Sequence, residues 1–365
     1  MSLHETLPAL PEGLTPAWLT SALHAAGLGQ GGYVEEVGFS AVGAGVGMMS
    51  ELTRLSLRWS AAADGAPATV IAKYASTNPT NRAAGDGFHV YEREVRFFSE
   101  LEQLTTARTP LCYFARYQAG NYLVLMEDLG AYRTGSQAEG ADLADAELAV
   151  DELARLHAPF WGRVEALDWV PTIFRSYHAD ALYSMAVGSW NKMVDTFADH
   201  VPDSIRAAGP TIHAALPALQ AAVNEGPATL IHGDFRLDNL MFGAMPAHRP
   251  IIILDWQGPL RARGIVDVAV LLGQNVHVPV RRQHERALIA RYTRRLAELG
   301  VSYGEDEAWR DYRVTLMYLW CYCTTITGGL DGSDPRSYAW MSQCVARQCA
   351  ATLDHDLLPE FARWH

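Results

Sequence analysis

Lysine is almost missing from this sequence. Of 29 basic residues only Lys73 and Lys192 are lysines and 27 are arginines, although lysine is ordinarily among the commonest residues. A chain that writes its positive charge as Arg marks any retained Lys as a position where a flat guanidinium does not serve. Positive charge as a whole is also scarce. With 41 acidic residues the formal net charge is −12, which repels nucleic acid and anionic membrane surfaces and argues against both as partners. The five cysteines, an odd number with no Cys-x-x-Cys pair, indicate neither a disulfide framework nor a zinc knuckle. The N-terminal residues have neither the basic start nor the apolar centre of a signal peptide. The uncharged stretch 314–330, 17 residues with several Thr and Gly, reads as a buried helix rather than a membrane span. A cytoplasmic protein is expected. No Gly-x-Ser-x-Gly elbow or His-Glu-x-x-His helix is present, which excludes the familiar serine and zinc hydrolase arrangements. The Gly-Lys-Ser/Thr ending of a Walker A loop is missing too.

What is present is an ordinary globular chain of 365 residues, 49 % apolar and 19 % charged, long enough for two domains or one large two-lobed unit. The pattern changes near residue 130. Before it, Thr15-Pro16 opens a short helix through about residue 27, with an N-cap residue and Pro in the first turn. Residues 33–40, 51–59 and 69–75 read as strands, 88–104 as a helix, and 111–117 with 121–127 as a hairpin. After it the chain is mostly helical, at about 141–161, 177–199, 203–224, 279–299, 305–327 and 335–353, with short apolar strands between 228 and 256. The expected division is 1–128 and 129–365.

The strongest local feature is LIHGDFRLDNLMFG at 230–243, followed by PIIILDWQGP at 250–259. It supplies Asp234, then Asn239, then 16 residues later Asp255 at the end of an apolar run. One carboxylate that orients and deprotonates a hydroxyl, with an amide oxygen and a second carboxylate as hard ligands for Mg²⁺, is the set that phosphoryl transfer to an alcohol requires. Asp234 is the candidate base, and Asn239 and Asp255 the candidate metal ligands. Lys73 lies inside the strand TVIAKYA, where an ammonium needs a partner. Glu94 in the following helix is preferred over Glu92 and Glu100, because the adjoining Phe97-Phe98 pair turns that side of the helix inward. Such a Lys–Glu pair would face the α- and β-phosphates of a nucleotide. The stretch VGAGVGMMS offers Gly43, Gly45 and Gly47, but Met48 stands where a dinucleotide loop needs its third Gly and strand alternation follows. A glycine loop between strands that covers phosphates with backbone N–H groups is the remaining functional reading. LVLMEDLG at 123–130 ends the last strand, and backbone groups at Glu127 and Leu129 are candidates for the adenine edge. Lys192, in a helix, reads as a solvated surface charge.

Taken together these motifs resemble the aminoglycoside phosphotransferase and choline-kinase superfamily, in particular its ecdysteroid-kinase-like branch, over roughly residues 35–275. The resemblance implies an α+β, bilobal protein-kinase-like fold: a small five-stranded N-lobe sheet with one helix, and a larger, mainly helical C-lobe. It implies an ATP- and Mg²⁺-dependent enzyme moving the γ-phosphoryl group to a hydroxyl of a small molecule. HGDFRLDN resembles the catalytic loop and ILDWQ the metal-binding segment. IAKY resembles the strand of the nucleotide Lys, EVRFF the helix of its partner, and VLMEDLG the hinge. By the same resemblance His232 supports the loop backbone and Asp267, in GIVDVAVLL, braces it. The chain departs from protein kinases in having no Ala-Pro-Glu segment and no activation loop between Asp255 and Gly264, which argues against protein substrates. Arg236 stands where ecdysteroid kinases often carry Trp, and its expected role is to neutralise the transferring phosphoryl group. The C-lobe aromatics Trp161, Tyr177, Tyr183, Trp190, Tyr318, Trp320 and Tyr322 fall at helical spacing, which is usually core. No dense carboxylate cluster stands out in the last two helices, so the expected acceptor is an uncharged or apolar alcohol. A 3'-type aminoglycoside phosphotransferase acting on a cationic antibiotic is the alternative within the class, and a nucleotide-binding pseudokinase the alternative outside it.

Overall fold

The structure, a computed structural model, describes residues 7, 8, 10–42, 49–60, 63, 65–118 and 120–364. Gly43, Gly45 and Gly47 lie outside the described residues. The chain forms two compact units, the first of Met1–Leu104, Thr109–Ala131 and Asp255–Gln257 and the second of Thr105–Arg108, Tyr132–Leu254 and Gly258–His365.

The first unit is built on five strands, β1 (Val34–Val42), β2 (Ser50–Trp59), β3 (Thr69–Ala75), β4 (Cys112–Gln118) and β5 (Asn121–Glu127). They form one antiparallel sheet in the order β1-β2-β3-β5-β4. The central β3 pairs on both sides, and all but its first residue are buried. Alternation along this strand separates two cores. Val70, Ala72 and Tyr74 face α1 (Pro16–Ala25), which brings Trp18, Leu19, Ala22 and Leu23. Ile71 and Ala75 share the opposite face with Val90, Tyr91, Val95, Tyr122 and Val124. Lys73 stands between Ile71 and Ala75 in this alternation, so the pleat sends it to the face covered by α3 (Val90–Arg96). The sheet is therefore what aims the lysine.

Two local features here escape pattern reading. A further helix, α2 (Pro79–Gly87), precedes α3; with two Gly and little apolar content its composition is that of a loop. The continuous helix expected over 88–104 is broken. His89 sits at φ 55°, α3 ends at Arg96, a π turn spans Phe97–Leu101 and a 3₁₀ turn Glu102–Leu104. Phe97 in the π turn stacks flat on Trp256, ring centroids 3.7 Å apart.

The second unit contains α4 (Leu143–His157), α5 (Tyr177–Thr196), α6 (Asp203–Ala222), α7 (Ile265–Gln274), α8 (Val278–Glu298), α9 (Glu305–Gly329) and α10 (Pro335–Asp354). Asp142, Ser176 and Asp334 cap α4, α5 and α10 with side-chain acceptors. Short strands lie among the helices: β6 (Arg133–Thr134) with β8 (Leu240–Phe242) and β9 (Ile251–Ile253), and β7 (Thr229–Ile231) with β10 (Leu260–Ala262). Helix α7 is buried along its whole length, Asp267 and Gln274 included. Exposed Lys192 on α5 donates to the Leu330 carbonyl just past the end of α9 (2.9 Å). Among the described residues no helix is long and apolar enough to cross a membrane.

Candidate active site

In the first unit Lys73, Glu94 and Asp255 meet. The Lys73 Nζ donates to Glu94 Oε1 and to Asp255 Oδ1, both at 2.8 Å, with Lys73 6 % and Glu94 1 % exposed. Burial would lower the Lys73 ammonium, but the charges of Asp255 and Glu94 outweigh it and hold the group above its ordinary value. Burial pushes the Glu94 carboxyl up, so the lysine is what keeps a charge there supportable. Asp255 takes up the left-handed conformation at φ 61°, uncommon for a residue with a Cβ and a mark of functional positions. Its neighbours hold that turn in place. Trp256 stacks on Phe97, and Gln257 Nε2 donates to Tyr122 Oη (3.1 Å) and to Ser50 Oγ (2.5 Å).

The segment after β5 is fixed in the same unit. Arg54 Nε donates to Asp128 Oδ2 at 2.6 Å and the Gly130 N–H to Asp128 Oδ1 at 3.0 Å. Burial would raise the Asp128 carboxyl, yet the bonds from Arg54, Thr69 and Gly130 hold it below its usual range. The Glu127 N–H donates to the Leu111 carbonyl (2.9 Å) and is thereby committed, while Leu129 is buried.

In the second unit β7 runs into the loop carrying Asp234, and a 3₁₀ turn at Leu237–Asn239 leads into β8. Gly233 permits the turn, since its φ is +78° and a Cβ would strike the Gly258 carbonyl. Asp267, fully buried on α7, accepts the His232 N–H at 2.7 Å on Oδ2 and the Gly233 N–H at 3.1 Å on Oδ1. His157 Nε2 reaches the same Oδ2 (3.3 Å), and its Nδ1 meets the Tyr292 hydroxyl (2.7 Å). The His232 ring bridges the loop, Nε2 to the Leu254 carbonyl (2.9 Å) and Nδ1 accepting the Asp234 N–H (3.3 Å). These partners define its tautomer, with the proton on Nε2. From the other side Asn275 Oδ1 accepts the Leu237 N–H at 3.0 Å.

The Asp234 side chain ends in a set of donors. Asn239 Nδ2 donates to Asp234 Oδ2 (3.0 Å) and to its main-chain carbonyl (2.9 Å), which turns the amide oxygen of Asn239 the other way. Arg236 Nε donates to Oδ2 at 3.2 Å, with its guanidinium 5.1 Å from the centre of the Trp340 ring. The Tyr322 hydroxyl on α9 donates to Oδ1. Burial, reinforced by the charge of Asp234, pushes this phenol well above its usual range, so it remains a donor.

Sequence reasoning missed His157, Asn275, Tyr292 and Trp340, and grouped Tyr322 with the C-lobe aromatics without distinguishing core from pocket. Helical spacing identifies the inner side of α9 but not which inner residue bonds a loop far away in sequence. A signal for Tyr322 exists in hindsight: a phenol between Cys321 and Cys323 carries a polar tip that must find a partner. The brace lends itself to measurement. Asp267→Asn would set an amide NH₂ against one of two backbone donors, with an expected loss of about 1–3 kcal/mol in denaturant stability and a lower kcat.

A five-stranded antiparallel sheet with a buried Lys–Glu pair, continued by helices around a braced Asp-x-x-x-x-Asn loop, defines the protein-kinase-like phosphotransferase fold. The chain belongs to the ecdysteroid kinase-like family, whose profile matches residues 44–302, and it is an enzyme of the small-molecule kinase class. Solved structures share the fold. The microcompartment-associated aminopropanol kinase superposes with TM-score 0.54 at 14 % identity, covering 90 % of this chain and 94 % of that one. APH(2")-IIia, in its complex with GDP and kanamycin, gives 0.50 at 15 % identity and the same coverages. No curated protein matches the chain.

Proposed function

We propose that the enzyme transfers the γ-phosphoryl group of ATP to a hydroxyl of an uncharged or apolar small molecule, with Asp234 as base. The observation that carries this reading is the Asp234 carboxylate, braced through His232 and Asp267 and carrying donors on both oxygens. Lys73, held charged by Glu94 and Asp255, would pair with the nucleotide phosphates, and the carbonyl side of Glu127 and the backbone of Leu129 would meet the adenine edge. Gly43, Gly45 and Gly47 would cover the phosphates. Asn239 and Asp255 fit Mg²⁺ by chemistry: both are hard oxygen donors, and the amide nitrogen of Asn239 is spent on Asp234, which leaves its oxygen for a cation. Mg²⁺ keeps most of its waters, so two protein ligands suffice; when bound it neutralises charge on the phosphates. Asp234 would align the acceptor hydroxyl and take its proton as the oxygen–phosphorus bond forms and ADP leaves. Arg236 would neutralise charge on the phosphoryl group.

For the acceptor, the aromatic side chains at Asp234 and Arg236, Tyr322 and Trp340, favour an uncharged or apolar alcohol. The five free cysteines, four of them buried, suit a reducing compartment, and the cytoplasm is the proposed location. Two measurements test the proposal. ATP with Mg²⁺ at about a hundredfold excess over Kd should stabilise the protein by about 2.7 kcal/mol in thermal unfolding; no shift would overturn the kinase reading, and a shift without any turnover would return the chain to a nucleotide-binding pseudokinase. ATP consumption should then rise with sterols or other apolar alcohols in a panel that includes sugars, choline and aminoglycosides. Turnover with aminoglycosides alone would overturn the acceptor class.

A further inference from the structure

The base is already hydrogen-bonded on both oxygens. Asp234 Oδ2 receives Arg236 and Asn239, both from its own loop, whereas Oδ1 receives Tyr322 from α9, more than eighty residues away in sequence. A carboxylate offers about four acceptor positions, and three of them are engaged by described side chains. Those on Oδ2 belong to the loop geometry. That on Oδ1 comes from a hydroxyl group, the functional group an acceptor alcohol would itself present to the base.

We infer that Tyr322 occupies the acceptor's place on Asp234 Oδ1 and guards the base against water, so that acceptor binding displaces the phenol and productive transfer follows. The inference rests on the assignment of Asp234 as base. Its physical content is a competition. Water reaching Oδ1 would be aligned like any hydroxyl: its oxygen would form a bond to the γ-phosphorus, the bond from that phosphorus to the ADP oxygen would break, and the water proton would pass to Asp234. ATP would be hydrolysed without benefit. Tyr322 opposes this because its hydroxyl is tethered to a packed helix, with Cys321 and Cys323 on either side fully buried, and is therefore present at high effective concentration. Water makes no other contact that would offset the loss of the phenol's bond. An acceptor does, through the rest of its surface, and can spend that binding energy on displacing Tyr322. Tyr322 is half-buried as a residue and Asp234 keeps about 30 % of its side-chain surface exposed, which gives an incoming hydroxyl access to the carboxylate.

The test requires no knowledge of the acceptor, because water is the competing nucleophile and the probe is ATP with Mg²⁺ alone. Tyr322→Phe removes the hydroxyl and keeps the ring. Acceptor-independent release of phosphate should rise about ten- to a hundredfold, the factor that corresponds to losing one hydrogen bond to a charged group. Thermal unfolding and the ATP-induced shift should stay as in the native enzyme. In Asp234→Asn/Tyr322→Phe the gain should vanish, which ties it to this base. Unchanged or reduced hydrolysis in a folded, ATP-binding Tyr322→Phe enzyme would overturn the proposal. A gain that survives in the double variant would overturn it as well, by placing the hydrolysis elsewhere. Failure of the kinase reading is separately visible, as the absence of an ATP-induced shift in the native enzyme. If the Phe variant is unstable, Tyr322→Leu, an apolar side chain with no donor, should give the same rise.

Discussion

Asp234→Asn is expected to lower phosphoryl transfer about 10²- to 10⁴-fold while ATP binding, read by thermal shift, stays nearly intact. The amide is close to the carboxylate in shape, so the loop held by Asp267, His232 and Asn275 has no reason to rearrange. What changes is chemistry. An amide oxygen cannot take the acceptor's proton, and its NH₂ would face donors from Arg236, Asn239 or Tyr322 where a carboxylate accepts from all three. Single-turnover measurement separates the loss of chemistry from any loss of binding. A variant that keeps turnover within a few-fold of the native enzyme would remove Asp234 from the role of base.

Lys73→Met should be the more damaging change to the protein as a whole. It removes the ammonium from a site where Glu94 is 1 % exposed and bonded to Nζ at 2.8 Å. Burial, which already pushes the Glu94 carboxyl up, then acts without the counter-charge of the lysine. Breaking a buried pair on one side costs about 3–5 kcal/mol, read as a lower denaturant midpoint. Transfer should fall at least about a hundredfold, the usual effect of losing one electrostatic contact to the reacting group. A companion substitution divides the two effects: in Lys73→Met/Glu94→Gln the stranded carboxylate is gone, so stability should recover in part and transfer should not. If the double variant recovered both, the pair would be structural only. Lys73→Arg is no rescue, because a flat fork in place of a compact ammonium overfills the space between Glu94 and Asp255.

The residues proposed to carry the chemistry lie close together in sequence. His232, Asp234, Asn239 and Asp255 fall within 24 residues, and their order and spacing alone suggested Mg²⁺-assisted transfer to a hydroxyl. Lys73 stood out because the chain has so few lysines, and its pairing with Glu94 followed from strand alternation and the helix after it. The groups that hold the site were less visible for identifiable reasons. Asp267 was named from the resemblance alone, because helix α7, which presents it, is a short apolar run buried on every side. His157, Tyr292 and Asn275 act across long sequence separations with no local pattern. The π turn at Phe97–Leu101 interrupts a stretch whose composition suits an unbroken helix.

Some properties belong to the sequence itself: the sheet-then-helix order of elements, the short-range spacing of the candidate site residues, and the formal net charge of −12. Local propensity, alternation and short spacing encode these, and each acts over a few residues. Other properties exist only after folding. The tertiary structure places Asp255–Gln257 with the first unit, through Lys73, Phe97, Ser50 and Tyr122, and it brings Tyr322 from α9 to Asp234. Neither follows from pattern. A hydrogen bond between distant residues depends on the summed packing of everything between them, and a phenol at a helical position looks the same in sequence whether it fills a core or guards a carboxylate.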